Sequence, residues 1–247
     1  MRGFFPIYKR EVFSLFVTPL GWVLMTSFLL VQGIHFALLC TQFAGPVDLT
    51  EGGPIQAFFG KTMLLYLPLL FTCPLLTMRL FAEERRSGTI EALLTAPVSA
   101  TGVVLGKYAA ALTAYLAMWA PTFLYVLLVA RTGEVDWGAI GASYLGVAAI
   151  GAGYLAIGIM SSALTQSQLA AAMLSAMLIV GLFTLGLGEF AFDTGPARDL
   201  SAHVSVWGQM NDFSAGIIDL RRLVFDATLV AVPLFTTVRA VDAWRWG

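Results

Sequence analysis

Glu83-Glu84-Arg85-Arg86-Ser87-Gly88-Thr89-Ile90-Glu91-Ala92-Leu93-Leu94-Thr95-Ala96-Pro97 is the most charged stretch of a very apolar chain, and hydrophobic runs flank it on both sides. Apolar segments long enough to cross a bilayer, joined by a polar connection at its surface, predict an all-α, polytopic membrane protein. Thr89 can cap a short helix, and Glu91 then lies in its first turn, where the dipole favours a carboxylate. Ile90, Leu93 and Leu94 share one face, and Pro97 ends the helix. The reading is a short amphipathic helix at the membrane surface. Its apolar face must bury against lipid, the rest of the protein or a partner.

Outward from this stretch, composition points the same way. Hydrophobic residues make up 58% of the 247-residue chain and charged residues 12%, with a mean hydropathy of +0.82. A soluble domain carries about twice that charge fraction. The 18 Phe and 24 Gly suit packed membrane helices, where small residues let backbones approach. A bilayer core needs roughly 20 apolar residues, which places six spans near residues 19–41, 62–81, 104–130, 139–164, 167–188 and 223–241. Before the first span, Phe5, Tyr8, Val12, Leu15 and Phe16 recur at helical spacing, with Lys9, Arg10 and Ser14 on other faces. Residues 1–18 therefore read as an interfacial amphipathic helix rather than a cleavable leader. Residues 82–103 form the polar connection after the second span. Residues 189–222 are too polar to span, yet carry Phe190, Phe192, Trp207, Phe213 and Ile217. They read as an ordered external segment, either a lid, a dock for an extracytoplasmic partner, or a piece resting on its own bundle.

Six spans put both termini on one side. With the termini inside, nine of the fourteen basic residues lie inside: Arg2, Lys9, Arg10, Arg79, Arg85, Arg86, Lys107, Arg239 and Arg245. That bias predicts cytoplasmic termini and a cytoplasmic 83–97 connection. The net charge of −1 argues against nucleic-acid binding.

No catalytic signature survives inspection. Gly102-Val103-Val104-Leu105-Gly106-Lys107 is one residue short of a phosphate loop, and Tyr108 follows its lysine. Gly60-Lys61-Thr62 has the right ending, but Ile55 stands where the first glycine belongs. Gly102 and Gly106 read instead as a helix-packing pair, with Ala148, Ala152 and Ala156 as a similar stripe. Gly141-Ala142-Ser143-Tyr144-Leu145-Gly146 is not a nucleophile elbow. No zinc motif is present, and Cys40 and Cys73 both sit in apolar runs as core thiols. His35 and Asp226 are the intramembrane polar candidates. His35 reads mainly as a packed hydrogen-bonding group, and Asp226 as an ion pair with Arg222, four positions earlier. Asp219 and Arg221 are expected at the junction between the external segment and the last span.

The pattern E-E-x-x-x-G-T-x-E-x-L-L-x-x-P in a first cytoplasmic loop resembles the permease subunits of ABC-2 type transporters. Phe213-Ser214-Ala215-Gly216-Ile217-Ile218-Asp219-Leu220-Arg221 and the tail Val238-Arg239-Ala240-Val241-Asp242-Ala243-Trp244-Arg245-Trp246 are similar to the gliding-motility-associated subgroup. The resemblance implies that Glu83, Glu84, Gly88, Thr89, Glu91, Leu94 and Pro97 are ATPase-coupling positions. It implies an exporter in the bacterial cytoplasmic (inner) membrane, built from this permease, a second permease of the same or a different sequence, and separate ABC ATPase subunits that bind ATP and Mg. No cofactor is then expected in this chain. Membrane lipids surround it, and the segment 189–222 leaves room for an extracytoplasmic accessory protein. The competing readings are a non-transporting membrane scaffold and an intramembrane enzyme. The enzyme would need a converging polar constellation that the sequence does not display.

Overall fold

The computed structural model describes residues 3–44, 53–60, 62–89 and 98–244, and every regular element among them is helical. Helix α1 (Phe4–Val17) turns at Thr18 into α2 (Pro19–Phe43). The short α3 (Pro54–Gly60), α4 (Tyr66–Thr77) and α5 (Arg79–Ser87) follow. Helix α6 (Ala100–Trp119) passes through a 3-10 turn at Ala120–Thr122, where Pro121 interrupts the ladder, into α7 (Phe123–Ala130). Then come α8 (Trp137–Leu164), α9 (Gln168–Ala191), the short α10 (Pro196–Val204) and α11 (Val206–Ser214), and finally α12 (Leu220–Ala243).

Five segments are long and apolar enough to cross a membrane: Pro19–Phe43, Ala100–Ala130, Trp137–Leu164, Gln168–Ala191 and Leu220–Ala243. The segment expected at residues 62–81 differs. It forms α4, of 12 residues, and α5, of 9, parted at Met78. Pro74 lies inside α4 and has no N–H to give to the ladder. Thr72 and Thr77 lean their hydroxyls back onto the Pro68 and Cys73 carbonyls, each at 2.8 Å. A side chain from α8 also enters the ladder just beyond Met78, as described below.

Caps account for the other shifted boundaries. Asp136 accepts from the N–H groups of Gly138 (2.8 Å) and Ala139 (3.3 Å), so α8 starts at Trp137 rather than at residue 139. Asp219 accepts from the Arg221 N–H at 2.8 Å, so α12 starts at Leu220 rather than at residue 223.

Helix α8 is the centre of the bundle. In its most apolar window 72% of residues are buried, against 28% for α2, α9 and α12. Its glycines admit large neighbours. A Cβ at Gly146 would stand 2.5 Å from the Phe213 ring, one at Gly151 2.2 Å from the Tyr115 ring, and one at Gly158 2.1 Å from the Thr77 hydroxyl. Gly106 seats α1 in the same way, with a Cβ there 3.1 Å from the Phe4 carbonyl oxygen. The long helices run up and down, giving the bundle two ends. At one, hereafter the loop end, lie the start of α6, the ends of α5, α8 and α12, and α1. At the other, hereafter the plug end, lie α3, α10 and α11.

In residues 189–222, Glu189 and Phe190 still belong to α9, and α10 and α11 follow. Helix α11 buries Val206, Gln209, Met210, Phe213 and Ser214 against the bundle, a single face at helical spacing. Phe190, Phe192 and Ile217 remain exposed.

Candidate functional site

The loop end is organised by a lysine that the sequence reading met in a failed phosphate loop and counted among the inner basic residues. Lys107 is 1% exposed. Its Nζ donates to the Leu80 carbonyl (2.7 Å) and to Glu11 Oε1 (3.0 Å), and pairs with Glu84 Oε1 (2.9 Å). An ammonium has three protons to give, and these three acceptors match them. Arg10 closes the lattice from α1, 2.7 Å from Glu11 and 2.8 Å from Glu84. Burial alone would raise the Glu11 carboxyl. The Lys107 ammonium and the Arg10 guanidinium outweigh it and hold the group below its ordinary value. A cavity of about 360 Å³ adjoins the lattice, lined among others by Arg79, Glu83, Glu84 and Thr89. The available signal was Lys107 itself, because a lysine within an apolar helix demands a partner.

A second joint lies at the start of α5, one turn before Glu84. Ser162, at the end of α8, donates its hydroxyl proton to the Met78 carbonyl (2.9 Å) and accepts from the N–H groups of Phe81 and Ala82 (3.1 Å each). One hydroxyl thus fills the gap between α4 and α5 and uses its full bonding capacity. Arg85 then grips the end of α8, with Nη1 donating to the carbonyls of Ala163 (3.0 Å) and Thr165 (3.3 Å). The same guanidinium lies 4.7 Å from the Trp244 ring at the end of α12. Helix α5 is therefore fixed to α1, α6, α8 and α12 just before the chain leaves for residues 90–97.

The expected coupling positions divide into two sets. Glu83 and Glu84 ride on α5 rather than on a loop, because the helix runs on to Ser87. Gly88 ends it with φ +73°, a left-handed cap suited to glycine. The Thr89 hydroxyl turns back to Ser87 Oγ, 2.9 Å away. Glu91, Leu94 and Pro97, with the expected short amphipathic helix, lie outside the described residues.

At the plug end, His35 is 1% exposed and bridges α2 to the chain after α3. Its Nε2 meets Thr62 Oγ1 at 2.5 Å, its Nδ1 meets Gln32 Oε1 at 3.3 Å, and its ring stacks on Phe58 at 4.7 Å. These contacts fit a packed hydrogen-bonding group that holds α3 in place. Asp226 does not make the expected bond with Arg222. Arg222 turns instead to Asp212 on α11, at 3.1 Å, and Asp226 accepts from the amide of Gln209. A four-residue spacing permitted the local pair, but α11 supplies competing partners: the partly exposed Asp212 for the arginine and the buried Gln209 for the aspartate. Asp219 sits at the junction as the cap of α12, and Arg221 supplies the N–H that it binds.

Helix α11 is pinned on several sides. Ser205, its cap, donates to Glu189 Oε1 at 2.7 Å while accepting from the Gly208 N–H at 3.0 Å. The Asn211 amide, oriented by its partners, donates to the Gly60 carbonyl (2.6 Å) and accepts from Trp207 Nε1 (3.1 Å). Gln209 and Asp212 hold α12.

The protein-family model described as ABC-2 family transporter protein matches residues 48–238, which take in α5, Lys107, Ser162 and α11 but not Arg10, Glu11 or His35. No curated protein matches the chain.

Proposed function

The chain belongs to the ABC-2 transporter family, and on that premise we propose that it is the permease subunit of an exporter driven by a separate ABC ATPase. It sits in the bacterial inner membrane with both termini in the cytoplasm and pairs with a second permease subunit. ATP and Mg are bound by the partner ATPase, and residues 90–97 are its dock, reached through Glu83, Glu84, Gly88 and Thr89. The interfacial reading of α1 belongs to the same proposal.

The observation that carries this reading is the bracing of α5. A force applied to residues 90–97 reaches α5 first. Through Glu84, Lys107 and Ser162 it reaches α1, α6 and the central α8. A connection that merely joined two spans has no need of this.

The experiment is co-expression with a candidate ABC ATPase, followed by co-purification and ATPase assay. Glu91→Lys and Leu94→Asp should insert normally and lose the ATPase. Ser162→Ala should keep the ATPase bound and lose most of its stimulation by the permease, because it loosens the joint behind the dock. Full co-purification and stimulation in all three variants would overturn the reading.

A further inference from the structure

The cavity of about 360 Å³ beside the Lys107 lattice carries two charges on its wall that the lattice does not use. Lys107 and Arg10 both turn to Glu11 Oε1 and Glu84 Oε1, two cations against two carboxylates. Arg79 and Glu83 are left over. They stand four positions apart on α5, about 6 Å along a helix axis. Among the described residues no ion pair joins them, and a cation placed before a glutamate is the weaker order for such a pair. Among the same residues Arg79 gives one hydrogen bond, from Nη2 to the Thr18 hydroxyl at 3.0 Å, although a guanidinium has five N–H groups to give. Glu84 adds a further acceptor, because its buried Oε2 has no partner.

Thr18 connects this cavity to an apolar crevice. Its hydroxyl accepts from Arg79 and donates to the Ser14 carbonyl at 2.8 Å. Ser14 lines the cavity, and the next residue, Leu15, lines the crevice together with Trp22 of α2, Leu76 of α4 and Met118 of α6. Trp22 is exposed, with its Nε1 donating to the Phe16 carbonyl at 2.7 Å. Trp22 and Met118 both lie in membrane-crossing segments, so the crevice leads from the polar loop end into the apolar belt. A cavity with one spare cation and one spare anion, continued by an apolar crevice, matches a zwitterionic phospholipid. The phosphate suits the guanidinium, the headgroup cation suits the carboxylates, and an acyl chain suits the crevice. Ethanolamine fits better than choline. Its ammonium has N–H donors for Glu83 and for Glu84 Oε2, and a quaternary ammonium has none.

We propose that the corner between α1, α2 and α5 is a binding site for phosphatidylethanolamine. Arg79 holds the phosphate, Glu83 and Glu84 Oε2 hold the ammonium, and the crevice beside Trp22 takes one acyl chain. The proposal rests on the placement of α1 and the loop end at the membrane surface. Its readout is lipid held by this chain alone, so it can fail while the coupling to an ATPase stands.

The full chain in detergent is mixed with equal amounts of phosphatidylethanolamine, phosphatidylcholine and phosphatidylglycerol of identical acyl chains, and bound lipid is counted by native mass spectrometry. Phosphatidylethanolamine adducts should exceed those of either other lipid several-fold. Arg79→Gln should weaken them by about tenfold, the scale of a lost charge-assisted bond. Glu83→Gln should reduce the excess over phosphatidylcholine by about threefold or more. It serves where Arg79→Gln does not insert, since among the described residues the Glu83 side chain has no bond to lose. Free phosphoethanolamine at the concentration of the lipid should not displace it, because it lacks the acyl chain. Equal adducts of the three lipids overturn the proposal, as does an excess that both variants leave unchanged, or displacement by free phosphoethanolamine. Glu91→Lys, which should lose the ATPase, should keep the phosphatidylethanolamine excess, and this separates the result from the coupling reading.

Discussion

Lys107 and Asp226 are both buried ionisable groups on membrane helices, 1% and 5% exposed, yet the protein holds them in opposite ways. Lys107 meets two carboxylates and a carbonyl, from α1 and α5. Asp226 meets a neutral amide on a nine-residue helix, while the arginine nearest in sequence is drawn elsewhere. The ion lattice at the loop end ties three elements into one body. At the plug end α11 is held by its buried apolar face and by separate polar bonds that do not share a common charged centre. The proposed permease role would use this asymmetry, because a densely connected network resists rearrangement and a sparse one permits it.

The largest effect should come from breaking the tied end. Lys107→Met leaves the largely buried Glu11 and Glu84 facing each other with only the half-exposed Arg10 as cation. Removing one partner of a buried ionic cluster costs about 3–5 kcal/mol. Thermal unfolding in detergent should show a large loss, and the triple variant Lys107→Met, Glu11→Gln, Glu84→Gln should recover most of it, since the one charge it leaves unpaired, on Arg10, is half exposed to solvent. A triple variant as unstable as the single would mean that the ammonium acts by packing rather than by charge.

The plug end should respond less and more locally. Asn211→Ala leaves the Gly60 carbonyl and the Trp207 indole N–H without that amide, a cost of about 1–2 kcal/mol for the buried groups involved. Hydrogen exchange should rise in α11 and α3 and stay unchanged in α5 and α6. An equal rise at both ends would dissolve the distinction between a tied end and a loose one.

The two ends also differed in how far the sequence exposed them. Helical class, an N-terminal helix, and the approximate places of five long apolar helices follow from hydropathy and length, which are local properties. The 62–81 segment, expected as one span, is divided into α4 and α5 at Met78. Its apolar composition hides that Pro74 and the incoming Ser162 interrupt the ladder, and Ser162 lies more than eighty residues away. Helix ends moved by two or three residues wherever an Asp cap sat outside the apolar run, as at Asp136 and Asp219. Glu84 was visible as a candidate from its motif, but its partner Lys107 was not, because pairing across α5 and α6 has no sequence period. Asp226 was visible as a charge in a span. Its true partner was not, since a four-residue spacing offers Arg222 and only the fold brings in Gln209.

The smallest effect expected is a titration, and it tests whether the loop-end lattice works through charge at all. The Glu11 carboxyl, despite burial, is held below its ordinary value of 4.5 by Lys107 and Arg10. A group whose folded value is depressed contributes stability above its unfolded value. That contribution is lost as the pH falls through the folded value. Glu11→Gln keeps the shape and removes the titration. The melting-temperature gap between native protein and Glu11→Gln should therefore stay flat from neutral pH down to about 5.5, then narrow below the ordinary 4.5 as Glu11 takes up its proton. Glu83 and Glu84 remain in both proteins, so the other carboxylates of this region contribute to both melts and largely drop out of the difference. A gap that stays constant to strongly acidic pH would show that Glu11 is held by packing alone, and that the tied end owes its stiffness to shape rather than to ion pairs.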